Sequence, residues 1–273
     1  GNFLTSGGVA RRMIRFANVM VGHITGGLGM TAVAACALFA AVSGSSPATV
    51  LAIGSILIPA MLKQGFSQRF AIGTVASAGG LGILIPPSIV MVMYAVTTNS
   101  SIGALFMAGV VPGIVLTLML AATTWWQAKK NHFPKQPKAS WRERWEAFRD
   151  AIWGLMLILI VMGGIYAGIF TATEAAAMSA VYAAFIALYV YRDLTWRDVP
   201  RVFIESANMA SMLFFIISGA VVFSFILTSE QIPQMLAQAI IGIKTLVMVV
   251  PLGLALTHHA FAIVVLGFAA APS

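Results

Sequence analysis

The sequence predicts an all-α polytopic membrane protein, and three observations carry that reading. Of 273 residues, 60% are hydrophobic and 9% charged, against about 25% charged in an ordinary soluble domain. The apolar residues gather into runs close to the ~20 residues that span a bilayer. The bases sit in short clusters between those runs and give a formal net charge of +8. Bases confined to the turns between apolar runs suit membrane orientation rather than nucleic acid, so no nucleic-acid partner is expected. All eight acids fall between Glu143 and Glu230, leaving residues 1–142 with ten bases and no carboxylate.

The elements follow in chain order. The opening Gly1-Asn2-Phe3 has no initiator Met and no signal peptide, so the chain is expected to begin inside a longer protein. Residues 1–22 place Val9, Met13, Phe16 and Met20 on one helical face and Arg11, Arg12 and Arg15 on another, which predicts an interfacial helix. Residues 24–42 are apolar and rich in Ala and Gly. Ser43-Gly44-Ser45-Ser46-Pro47 then interrupts, and a second apolar run reaches Leu62 before Lys63. Two short legs around a hydroxyl-rich tip read as a re-entrant helical hairpin, although two full spans would return Lys63 to the same side.

Residues 70–98 have span length but contain Gly79-Gly80-Leu81-Gly82-Ile83-Leu84-Ile85-Pro86-Pro87-Ser88. Proline removes amide donors and glycine lowers helix propensity, so a broken helix is predicted over 79–88. Residues 102–126 read as a continuous span ending in the interfacial pair Trp125-Trp126. Residues 129–149 hold seven bases and two acids. They form a linker that is expected to end in an amphipathic helix with Trp141, Trp145 and Phe148 on one face. Further spans are predicted at 151–170, 172–191 and 207–227, with a polar turn at 192–201. An amphipathic segment at 230–243 and an apolar stretch at 245–272 complete the chain.

The charge clusters are self-consistent with this count. Arg11, Arg12 and Arg15, Lys63 and Arg69, the linker, and Arg192, Arg197 and Arg201 all fall on the cytoplasmic side. Leu4-Thr5-Ser6 before one amphipathic helix recurs as Leu227-Thr228-Ser229 before another on the opposite side. This predicts an inverted-repeat transporter architecture, with a first repeat over 1–127, a cytoplasmic basic linker over 128–150 and a partial second repeat over 151–273.

Backbone interrupted inside a membrane exposes carbonyls and amides, which is tolerated where protein or a water-filled cavity satisfies them. The candidate ion- and substrate-binding residues are therefore Ser43, Gly44, Ser45, Ser46 and Thr49 at the tip, with Gly79, Gly80, Gly82, Pro86, Pro87 and Ser88 at the break. Hydroxyls and carbonyls of Ser43, Ser45, Ser46 and Gly79 suit a hard cation such as sodium. Amides at the half-helix starts after Pro47 and Pro87 suit an anionic group. The competing reading makes Ser43–Ser46 a turn outside the membrane and the Gly-Pro stretch a packed kink. Proton coupling usually uses intramembrane carboxylates or histidines, and the first half offers only His23, so sodium is favoured as coupling ion. Glu174 is expected to meet a helix dipole behind Thr173 as N-cap.

No cofactor and no enzyme chemistry is expected. Cys36 stands alone, no Cys/His cluster has ligand spacing, and Gly26-Gly27-Leu28-Gly29 and Gly79-Gly80-Leu81-Gly82 lack a phosphate-loop ending. The pair His258-His259 is assigned no role.

The runs GNFLTSGGVARRMI, SGSSPATVLAIGSILIPAM, GGLGILIPPSIVMVMYAV and GIFTATEAAAMSAVYA resemble the large permease subunit of tripartite ATP-independent periplasmic (TRAP) transporters. The resemblance implies a sodium-coupled importer of organic acids, of dicarboxylate or sialic-acid type, in the bacterial inner membrane. It also implies a small membrane subunit and a periplasmic solute-binding protein as partners, besides membrane lipid. It implies that Ser43–Thr49 is a first hairpin tip, Gly79–Ser88 a first broken helix and 151–191 part of the second repeat's scaffold. Residues 243–273 lack a second hairpin and second Gly/Pro break, so the chain is expected to be incomplete at both ends. A non-transporting membrane scaffold is the alternative.

Overall fold

The structure is a computed structural model and describes residue 3 and residues 8–242. The Leu4-Thr5-Ser6 half of the repeat, His258-His259 and the stretch 243–273 lie outside the described residues. Among the described residues, six helices are long and apolar enough to cross a membrane. The chain divides at Val199 into two units, taken here one at a time.

The first unit opens with α1 (Val9–Val21) and α2 (Gly27–Ser43), followed by α3 (Ser46–Lys63). Helix α2 is built almost wholly of small and apolar residues and is buried on nearly every side, as a central helix must be. Gly26 enters it at φ 90° and Gly44 leaves it at φ 62°, so only Ser45 separates that cap from α3. The legs have 17 and 18 residues, about 26 Å each at 1.5 Å per residue, and the second leg is one of the six candidate spans.

Next come α4 (Gln68–Gly79), α5 (Leu81–Leu84) and α6 (Ile89–Thr98). The break is narrower than the composition suggests. Gly80 keeps helical angles (φ −58°, ψ −22°), and Ile83 N and Ile85 N still donate to Gly80 O and Leu81 O at 3.2 and 2.8 Å. At Gly80, between α4 and α5, the bonding tightens to i→i+3, and helical bonding is lost over 85–88, where Pro86 and Pro87 bring no amide hydrogen. The glycines thus give a tight turn at Gly80 rather than an unwound stretch.

Helix α7 (Ile102–Lys130) is continuous for 29 residues. The segment after it folds back on the hairpin base. The Phe133 ring lies 4.5 and 4.9 Å from those of Phe66 and Phe70, and Gln136 N donates to Gly22 O at 3.0 Å.

Helix α8 (Trp141–Ile158) runs through a π-helical turn (Leu159–Gly163) into α9 (Gly164–Tyr166). The expected separate amphipathic helix is therefore the first turns of a membrane span. Ser140 and Glu143 close a reciprocal cap that starts the helix at Trp141. Trp141 and Trp145 face outward, while Phe148 meets Phe16 at 5.9 Å. Helix α10 (Ala172–Phe185) is capped by Thr171, not Thr173. Thr171 and Glu174 form the same reciprocal box, because the Thr-x-x-Glu spacing reaches the third helical amide from Thr171.

The apolar face of α1 is covered by protein. Val9, Ala10, Met13, Ile14 and Ala17 are buried, and a Cβ at Gly154 of α8 would lie 2.9 Å from Met13 Cε. That glycine leaves the socket for Met13, whereas Met20 is exposed. Two of the three arginines of α1 pair with acids: Arg12 meets Asp193 at 2.5 Å, and Arg15 meets Asp150. Those contacts, with Gln136 Nε2 on Gln64 Oε1 at 3.3 Å, bring the arginine cluster, the hairpin base, the linker and the turn near Asp193 to one end of the unit.

The second unit shows α11 (Val199–Ser229) and α12 (Ile232–Gly242). Helix α11 has 31 residues with only Val202 buried, and Arg201 Nε pairs with Glu205 at 2.9 Å within it.

Candidate functional site

The tip of the first hairpin is a short hydroxyl network. Ser43 Oγ lies 3.0 Å from Thr49 Oγ1. Thr49 Oγ1 donates to Ser45 O at 2.8 Å, and Ser45 N reaches Ser43 Oγ at 3.4 Å. Gly44 N donates back to Ala40 O at 2.8 Å. Ser43 and Thr49 are buried at 7% and 0% exposure, so the turn is folded into protein.

Two backbones grip this tip. On one side, a Cβ at Gly82 would lie 2.7 Å from Ser46 N and 2.9 Å from Ser45 O. On the other, Ile89 N donates to Gly44 O at 3.1 Å, and a Cβ at Gly44 would lie 2.5 Å from Pro87 O. The tip therefore meets the break between α5 and α6, partway along a helix-break-helix that covers Gln68–Thr98. The tip of the hairpin is thus docked on the break of the next helix.

The other predicted site residues take different places. A Cβ at Gly79 would lie 2.1 Å from Val50 Cγ2, one turn along α3 from Ser46, so Gly79 packs helix on helix. Gly80 is exposed. Pro86 is buried within the break. Of the predicted set, Ser43, Gly44, Ser45, Ser46, Thr49, Gly82, Pro87 and Ser88 are brought together.

Two hydroxyls at this junction have no hydrogen-bond partner among the described residues although their oxygens are buried: Ser46 Oγ and Ser88 Oγ. Ser88 is 1% exposed. A buried hydroxyl without a partner costs about 1–3 kcal/mol, so these two oxygens mark where a ligand, ion or water would be stabilised.

Ser88 also lines a cavity of about 400 Å³ whose near wall includes Ser43, Gly44 and Pro87. The far wall comes from the α8–α9 span, through Leu157, Val161 and Ile165, and from α10, through Thr173, Ala176 and Ser179. The sequence pointed to none of these far-wall residues as site residues; only the small side chains along one face of α10 gave a local signal. No Lys, Arg, His, Asp or Glu is among the lining residues. The cavity offers hydroxyls, backbone and the start of α6, which leaves neutral oxygens for a cation and a helix amide end for an anion.

A family model described as "Tripartite ATP-independent periplasmic transporter, DctM component" matches residues 1–271. The C4-dicarboxylate TRAP transporter large permease protein DctM of Rhodobacter capsulatus is 62% identical over 252 residues, covering 87% of this chain and 57% of that protein. The protein of the same description from Pseudomonas aeruginosa is 56% identical over 237 residues, covering 87% of this chain and 56% of that protein. The sialic acid TRAP transporter large permease protein SiaM of Vibrio cholerae is 38% identical over 244 residues, covering 89% and 57%. The chain thus spans little more than half the length of these relatives. With its candidate spans, its hairpin docked on a broken helix and a family match along nearly its whole length, the chain belongs to the DctM family of TRAP transporter components, multi-pass proteins of the bacterial inner membrane.

Proposed function

We propose that this chain carries one half of the transport site of a sodium-coupled permease that imports small organic acid anions, of dicarboxylate or sialic-acid type. The observation that carries this reading is the junction of tip and break, where Ser46 Oγ and Ser88 Oγ are buried and unpartnered and Ser88, with Ser43 and Gly44, lines a cavity free of charged side chains. Sodium would be held by oxygens of Ser43, Ser45 and Ser46 and would supply positive charge beside the anion. The α6 amide end would add a second favourable pole. A proton-coupled site would require a titratable group in the cavity wall, and the lining has none. In this reading the chain works with a small membrane subunit and with a periplasmic binding protein that delivers the substrate.

The test is sodium-gradient uptake of succinate by the complete transport system in proteoliposomes. The combined Ser43→Ala, Ser45→Ala and Ser46→Ala variant is expected to need about ten-fold more sodium for half-maximal uptake, the equivalent of roughly 1.4 kcal/mol. An unchanged sodium dependence removes the ion assignment. Absence of uptake by the intact system, with or without sodium, favours the non-transporting scaffold.

A further inference from the structure

Helix α8 turns one face away from the protein. Ala147, Ala151, Gly154 and Leu157 are buried, and the opposite face carries Trp141, Trp145, Arg149 and Trp153, each four residues after the last. All four are exposed, the tryptophans at 84%, 67% and 44%. The acids of this helix end are already engaged. Glu143 Oε2 accepts from Ser140 N at 2.7 Å, Glu146 Oε1 accepts from Arg142 Nε at 3.1 Å, and Asp150 meets Arg15. Arg149 makes no ion pair, hydrogen bond or ring contact among the described residues, so its charge is left over.

The depth of that charge follows from the helix around it. The candidate span Trp141–Tyr166 has 26 residues, about 39 Å at 1.5 Å per residue, which exceeds the ~30 Å hydrocarbon layer. Residues 151–173 hold no charged side chain, so the surplus length falls at the charged start of the helix. Arg149 is then the last base before the hydrocarbon, about 6 Å along the axis from Trp145 on one side and from Trp153 on the other. This is the level of the lipid phosphates, where tryptophan also gathers.

We propose that Trp145, Arg149 and Trp153 form a binding site for one anionic phospholipid, with its phosphate on the Arg149 guanidinium and the two indoles against its glycerol and upper acyl chain. A guanidinium presents paired N–H donors that suit two phosphate oxygens, and each indole N–H is a further donor at the same level. A zwitterionic headgroup carries its own cation beside the phosphate and gives back part of the attraction, so an unpaired arginine favours a lipid of net negative charge. An acidic segment of a partner protein could meet Arg149 as well. The flanking indoles and the position at the bilayer boundary favour the lipid. The site is separate from the cavity, which Arg149 does not line.

The experiment titrates the purified protein, in neutral detergent, with phosphatidylglycerol and in parallel with phosphatidylcholine of the same acyl chains, and reads the affinity of the first bound lipid by native mass spectrometry. Phosphatidylglycerol is expected to bind about five-fold more tightly. Arg149→Gln is expected to erase that preference and Arg149→Lys to keep most of it. Neither change removes a contact within the protein, so melting is expected to stay as in the wild type. Arg11→Gln, which removes an exposed charge from α1, is expected to keep the preference. Equal affinity for the two lipids in the wild type, or an undiminished preference in Arg149→Gln, overturns the site. An equal loss in Arg11→Gln overturns it too, because general positive charge would then explain the binding. Loss of phosphatidylglycerol binding on addition of the small membrane subunit would assign the face to a protein and overturn the lipid reading.

Discussion

Gly82→Val is expected to abolish sodium-dependent uptake and to lower the melting temperature of the purified protein. A Cβ at this position would stand 2.7 Å from Ser46 N, 2.8 Å from Ser45 C and 2.9 Å from Ser45 O. These are backbone atoms of a tip already tied by its own hydrogen bonds, so no flexible side chain can give way. Overpacking of this kind costs about 1–3 kcal/mol, or else the tip separates from the break. Gly44→Ala presses from the opposite side, with a Cβ 2.5 Å from Pro87 O and a φ of +62°, which for a residue with a Cβ adds roughly 1–2 kcal/mol. Gly163→Ala is the control, because a Cβ there meets nothing within 4 Å, and it is expected to behave as wild type. Wild-type melting and sodium dependence in Gly82→Val would show that the tip does not dock on the break.

Those same glycines show where sequence reasoning reached and where it stopped. The hairpin was legible because Ser43-Gly44-Ser45-Ser46-Pro47 places a left-handed cap beside an N-terminal proline, a local signal that needs no knowledge of neighbours. The broken helix was legible through Pro86 and Pro87 for the same reason. Its extent was not. Gly79 and Gly82 lower helix propensity, yet here they stay helical and act by absence of a side chain, letting Val50 and the Ser45-Ser46 backbone approach. Composition cannot separate a glycine that unwinds from one that admits a neighbour, because the neighbour lies some 30 residues away. Thr171 was within reach, since Thr-x-x-Glu is itself the cap signature.

The far wall of the cavity lay beyond such reading, since Leu157, Thr173 and Ala176 join Ser88 only through tertiary packing. The carboxylates are a similar case. Their absence from residues 1–142 was plain, but that two of the later ones pair with the arginines of α1 follows from packing alone. The amphipathic helix α1 thus acts as a strut, its apolar face buried in protein and two of its arginines bound to acids more than a hundred residues away.

Reversing Arg12 tests that strut. Asp193 Oδ2 accepts from Arg12 Nη1 at 2.5 Å and from Gly8 N at 2.9 Å, and the Arg12 guanidinium lies 3.7 Å above the Tyr191 ring. Tyr191 Oη donates to Asp150 O at 2.7 Å. Both charged side chains are about a quarter exposed, so the pair is worth more than a surface ion pair but less than a fully buried one. Arg12→Glu is expected to destabilise by about 2–3 kcal/mol, because it removes the hydrogen bonds to a carboxylate and sets like charges together. Arg12→Lys keeps the charge but loses the forked geometry and the ring stacking, and is expected to cost about 1 kcal/mol. The exchange Arg12→Glu with Asp193→Arg restores the ion pair but not the stacking over Tyr191 or the Gly8 contact, so only partial recovery of the melting temperature is expected. Full additivity of the two single changes, with no recovery in the pair, would mean that Arg12 and Asp193 do not meet, and α1 would then be held by its apolar face and the Arg15–Asp150 pair.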